Sequence, residues 1–169
     1  MNDAHLHLLV NHFPIVGTIL GLGVLMAGMI SKKDAVKNTA NYLFIVGALF
    51  ALASIATGDG AAELVEDMPN VGHKIIHEHE EMAENFAVVM YILGLCSLLG
   101  IYFNHKNHVK AKLVTSITLI IAVVAVVFST LVGTSGGEIR HTEIRTDSLS
   151  APIDSINPIN NNKRIKYLN

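Results

Sequence analysis

The chain has 169 residues, of which 51% are hydrophobic and 15% charged, and its formal net charge is −2. That charged fraction is far below the ~25% of ordinary soluble domains, and the charge balance leaves no nucleic-acid footprint. The single cysteine, Cys96, excludes an internal disulfide and lies in an apolar run, where a soft core residue is the expected role.

Three histidines open the first hydrophobic segment, in His5-Leu-His-Leu-Leu-Val-Asn-His-Phe-Pro14. Residues 13–30 then run 18 positions without a charge, near the ~20 that cross a hydrocarbon core. The N-terminus lacks the basic region of a secretory signal, so this helix is expected to be retained. Pro14 fits a first helical turn or a kink that frees the carbonyl of Val10. Gly17 and Gly21 form a small-xxx-small pair, which is common in apolar helices.

Lys32, Lys33 and Lys37 make a short basic loop. The second segment, about 41–58, is rich in small residues in its later half (Gly47, Ala48, Ala51, Ala53, Ser54 and Ala56) and offers a flat surface to a neighbour or a cofactor. It is expected to stop at Gly58-Asp-Gly60, a turn signal. The third segment, about 71–103, has an apolar part at 86–103 and a polar part at 73–85 without a breaker. One continuous helix projecting past the acyl chains by about three turns is expected. A second basic loop carries Lys106, Lys110 and Lys112. The fourth segment, about 112–133, is apolar and β-branched, and lipid forces such a run into a helix. It closes at Gly133-Thr-Ser-Gly-Gly137. Residues 142–169 form a polar tail of linker-like composition, expected to dock on helix ends or on a partner membrane or periplasmic subunit.

The expected fold is thus an all-α, integral-membrane four-helix bundle over residues 1–141. The two basic loops carry three lysines each, whereas residues 59–84 carry eight acids and one lysine. Lysine bias in short loops puts the basic loops in the cytoplasm and both termini outside. A multi-pass protein of the bacterial inner membrane, in contact with the lipid bilayer, follows.

Seven of the nine histidines fall on that outer side: His5, His7, His12, His73, His77, His79 and His141. Asp59 and Glu138 lie there too. At about 100° per residue, His73, His77, Glu80 and Glu84 share a stripe suited to solvent. His79 falls instead with Ile75, Met82, Ala83 and Phe86, on the apolar face, and is the better candidate for a buried ligand. On the first helix, His7 and His12 diverge by about 140°, so one metal takes both only if the helix is distorted.

Around these residues the sequence resembles an uncharacterised bacterial four-helix membrane family whose first helix carries His-Pro-x-x-Val-His-Phe-Pro. Here His7-Leu-Leu-Val-Asn-His-Phe-Pro14 keeps both histidines and the Phe-Pro, with Leu8 and Asn11 departing from the pattern. Gly58-Asp-Gly60, His79 (or His77) with Asn85, and Gly136-Gly-Glu138 followed by His141 are similar to the family's other motifs. The resemblance covers about 5–141 and implies the scaffold and its polar residues rather than a reaction. Some members are joined to Rieske-type iron–sulfur proteins, which implies electron transfer by analogy.

Three readings follow. The first is haem b held between helices by His12 and His79, with His7 and His77 as further cofactor-binding candidates, near the outer surface. The second is a non-haem iron, copper or zinc site drawing on His7, His12, His77, His79, Glu138, His141 and Asp59. The third is a non-catalytic accessory subunit whose histidines are interface residues or proton sensors. The sequence has no nucleophile–base pair, phosphate loop or dinucleotide fingerprint, so a stand-alone enzyme is not expected.

Overall fold

The computed structural model describes residues 2–66, 71–141 and 144–145. These residues form helices and turns, with no strand among them. In chain order the helices are α1 (Asp3–Val10), α2 (His12–Ser31), α3 (Asp34–Glu66), α4 (His73–His105) and α5 (Ala111–Arg140). Four stretches are long and apolar enough to cross a membrane: α1 with α2 as one, then α3, α4 and α5. The fold is therefore the expected all-α bundle.

The N-terminal segment is divided at Asn11. Asn2 caps α1 by accepting from the His5 backbone N–H at 3.0 Å. Pro14 has no N–H to give, so the Val10 carbonyl loses its helical donor, and the chain steps from α1 into α2 one residue later. The Thr18 hydroxyl, fully buried, donates to the Pro14 carbonyl at 2.6 Å. Lys32 then ends α2 in a left-handed conformation, φ 55°.

Two helices outrun their expected ends. α3 continues through Gly58-Asp59-Gly60 to Glu66, and α5 continues through Gly136 and Gly137 to Arg140. A glycine inside a helix costs only about 1 kcal/mol relative to alanine, and these glycines face close neighbours instead of turning the chain. α4 is the expected single helix of 33 residues, about 50 Å long, against ~30 Å of hydrocarbon.

Small residues bring the helices together. The Phe44 ring occupies the space above Gly21, where a Cβ would come within 2.5 Å of it. A Cβ on Gly94 would lie 2.9 Å from Ala48 Cβ, and one on Gly47 would lie 2.9 Å from Met90 Cε. The face of α3 around Gly47 and Ala48 is thus filled by α2 and α4, the neighbours the sequence reading allowed there. Leu25, Phe44, Met90 and Leu93 are fully buried at the centre, while leucines, isoleucines and valines face outward on every helix, as lipid contact requires. Beyond α5, Arg145 caps the helix end. Its Nε donates to the Glu138 carbonyl at 2.7 Å and its Nη2 to the Ile139 carbonyl at 3.0 Å. The rest of the tail lies outside the described residues.

Candidate functional site

Two histidines are built into the bundle, each held by a different helix pair. His7, on α1, is half-buried against α3. Its Nδ1 lies 3.1 Å from the Ser54 carbonyl and 3.2 Å from Thr57 Oγ. A carbonyl only accepts, so His7 Nδ1 carries the proton. Thr57 donates its own hydroxyl back to the Ala53 carbonyl at 3.0 Å, which leaves Oγ free to accept. The neutral ring then has its lone pair on Nε2.

His79, on α4, repeats this arrangement against α5. Its Nδ1 lies 2.9 Å from Ser135 Oγ. Ser135 is buried and donates to the Val132 carbonyl at 3.1 Å. When the serine donates to Val132 it accepts from Nδ1–H, and Nε2 then bears the lone pair. The ring packs on Gly136, where a Cβ would come within 3.0 Å of His79 Cε1. His7 has a looser version of the same platform, its Cε1 4.0 Å from where a Cβ of Gly58 would be.

His7 and His79 are near enough to sense one another's charge, and His7 also senses His12. A second tether holds α1 on α3: Asp3 packs on Gly60, and a Cβ there would lie 2.8 Å from Asp3 Cβ. Phe13 stacks on Phe50 with ring centroids 4.4 Å apart. The glycines of the presumed turn are thus the points where α1 approaches α3 closely.

The other candidates take different places. His12 begins α2 and is exposed. His77 is exposed, 3.9 Å from Glu80, and His73 is exposed beside Glu66 at 2.5 Å. Asp59 is exposed because α3 stays helical there and turns it outward. Glu138 is half-buried, and His141 is the exposed C-cap of α5. Among the described residues no group of three or more His, Cys, Asp or Glu side chains could hold a metal ion. The structure brings His7 and His79 to one region and leaves His77 and Asp59 outside it. Sequence reasoning gave no site role to Ser54, Thr57 or Ser135, and read Gly136 as part of a motif that ends a helix. Their signal is a hydroxyl or a glycine on the neighbouring helix at the level of a half-buried histidine.

A family described as "predicted membrane protein", DUF2231, matches residues 4–143, from α1 to just past α5. The chain belongs to that family. Its four candidate spans agree with the family's description, so it is a multi-pass membrane protein in contact with the bilayer. No curated protein and no solved structure matches the chain.

Proposed function

We propose that this DUF2231 protein is a small redox protein of the bacterial inner membrane, binding haem b through His7 and His79 near the periplasmic face and passing electrons within a larger complex. The supporting observation is that both rings are held by the protein through Nδ1, which leaves Nε2 for a ligand. His7 Nδ1–H donates to the Ser54 carbonyl, and His79 Nδ1 is hydrogen-bonded to Ser135 Oγ. Ligating histidines characteristically donate their other ring N–H in this way, which orients the ring and strengthens the ligand nitrogen. Two imidazoles on different helices could hold a haem between them. A non-haem iron, copper or zinc ion asks the protein for three or four ligands, and no such group stands among the described residues. When bound, haem supplies the one-electron chemistry. His7 and His79 would hold it, and Ser54, Thr57 and Ser135 would fix their rings.

Orientation follows from lysine bias. Lys32, Lys33, Lys37, Lys106, Lys110 and Lys112 occupy the two short loops, which assigns those loops to the cytoplasm and the histidine end to the periplasm. A partner subunit that exchanges electrons there would meet α1, the end of α5 and the tail beyond Arg145.

Oxidised and reduced absorption spectra of the purified protein, with metal analysis of the same sample, test the reading. A Soret band is expected that disappears in His7→Ala and in His79→Ala and survives in His12→Ala. Bound metal without a Soret band would turn the reading to a non-haem centre. A protein free of both would overturn the redox reading and leave an accessory subunit.

A further inference from the structure

The end of the bundle opposite His7 and His79 carries a second group of polar side chains, which the redox reading does not use. There the start of α3 lies beside the end of α4. Asn104 Nδ2 donates to Asn38 Oδ1 at 2.8 Å. Asn41, buried, lays its carboxamide on Gly100, where a Cβ would lie 2.9 Å from Asn41 Nδ2. One turn deeper along α4 is Ser97, fully buried. Ser97, Gly100 and Asn104 form a single stripe, spaced three and four residues apart.

Two buried atoms on this stripe find no hydrogen-bond partner: Ser97 Oγ and Asn104 Oδ1. The contrast with the other hydroxyls of the apolar helices is informative. Thr18, Thr115, Thr118, Ser129 and Thr130 each donate to a carbonyl one turn back in their own helix. Ser97 does not. A polar atom without a partner inside a membrane bundle is costly, and internal water is the usual means of satisfying one.

We propose that water enters the bundle from the lysine-loop face along Asn38, Asn104 and Asn41 and ends at Ser97. From Asn104 to Ser97 the stripe descends seven residues, about 10 Å along the helix axis. Ser97 and Gly100 are about 4.5 Å apart in axial rise, a gap one water spans between Ser97 Oγ and the Asn41 carboxamide. Asn38, half-buried near the head of α3, forms the mouth. The inlet stops at Leu93, Phe44 and Met90, all fully buried and apolar. It is a blind passage on the face away from His7 and His79, independent of any cofactor.

Infrared spectra of the full chain in detergent or lipid, in a Cys96→Ala background, test the inlet by its S–H stretch. Ser97→Cys places a thiol at the end of the passage, and Leu93→Cys places one a turn beyond it. On transfer to D2O the S–H band of Ser97→Cys is expected to be lost to S–D while that of Leu93→Cys persists. Persistence of both bands overturns the proposal, because no water then reaches Ser97. Loss of both also overturns it, because the passage then does not end at the apolar layer. If Ser97→Cys fails to fold, Asn41→Cys on the facing wall is compared with Leu93→Cys by the same criterion.

Discussion

His79 Nδ1 is hydrogen-bonded to Ser135 Oγ at 2.9 Å, and Ser135 Oγ lies 3.1 Å from the Val132 carbonyl, to which it can donate. That pair of contacts fixes the rotation of the ring. It also ties α4 to α5 at the end of the bundle where α1 is tied to α3 through His7. The two clamps are made by unrelated helix pairs yet present the same nitrogen.

Ser135→Ala removes the hydrogen-bond partner of His79 Nδ1. The ring is then free to rotate and to change tautomer. Loss of such an outer partner lowers ligand affinity about 10–100-fold at metal sites, and haem titration followed by absorbance should show a weakening of that order. The stability cost of one half-buried hydrogen bond is about 1 kcal/mol, so thermal unfolding should shift little. Unchanged haem affinity would separate Ser135 from the site.

Gly136→Ala separates the platform from the helix. The new Cβ would meet His79 Cε1 at 3.0 Å, so the ring must move by a few tenths of an ångström. Alanine is the better helix former by about 1 kcal/mol, which offsets the crowding. Stability should therefore hold or rise, while the absorption spectrum of the haem-loaded protein changes. An identical spectrum would show that the ring's seat on Gly136 does not matter to the ligand.

The helices and the burial of His79 were legible from periodicity, because α4 is long and its apolar face is consistent from Ile75 to Phe86. The lengths of α3 and α5 were not. Gly58, Gly60, Gly136 and Gly137 read as punctuation, yet three of them face His7, Asp3 and His79 and the fourth faces Ile144. A glycine admitted for close approach and a glycine that ends a helix look alike in one sequence. The choice between His7 and His12 was illegible for a similar reason. It depends on which side of α1 meets α3, and that is decided by Ser54, Thr57 and Gly58 on another helix. The exposed stripe of His73 and His77 followed directly from helical angles.

The glycines of α2 are not equivalent, although the sequence presents them as one motif-rich run. A Cβ on Gly21 would come within 2.5 Å of the Phe44 ring, whereas one on Gly23 meets nothing within 4 Å. Phe44 is fully buried and has no room to retreat, so Gly21→Ala should destabilise by about 1–3 kcal/mol, the usual cost of overpacking. Gly23→Ala should be neutral or stabilise by up to about 1 kcal/mol through helix propensity. Thermal denaturation in one detergent ranks the two, and equal effects would contradict the close packing of α2 on α3.

His73 and His77 each lie beside a carboxylate, Glu66 and Glu80 respectively, in contacts that look structural on paper. The His73 side chain is 87% exposed and that of His77 80% exposed, so water screens both pairs. Exposed pairs contribute about 0–1 kcal/mol. His73→Ala and His77→Ala should each leave the melting temperature within measurement error and leave any Soret band intact. A loss of cofactor in His77→Ala would return His77 to the site and remove the basis for preferring His7 with His79.

Asn38 and Asn104 join α3 to α4 near the lysine loops through a 2.8 Å hydrogen bond. Polar bonds between membrane helices average about 0.6 kcal/mol by double-mutant cycles, less than burial alone suggests, since separated helices find other partners. A cycle with Asn38→Ala, Asn104→Ala and the double variant should return a coupling near that value. Asn104→Ala alone should cost more than the coupling, because it also widens the space beside Gly100 and leaves the Asn38 carbonyl oxygen without its donor. A coupling indistinguishable from zero would mean that helix packing around Gly94 and Gly100, and not this bond, sets the register of α3 on α4.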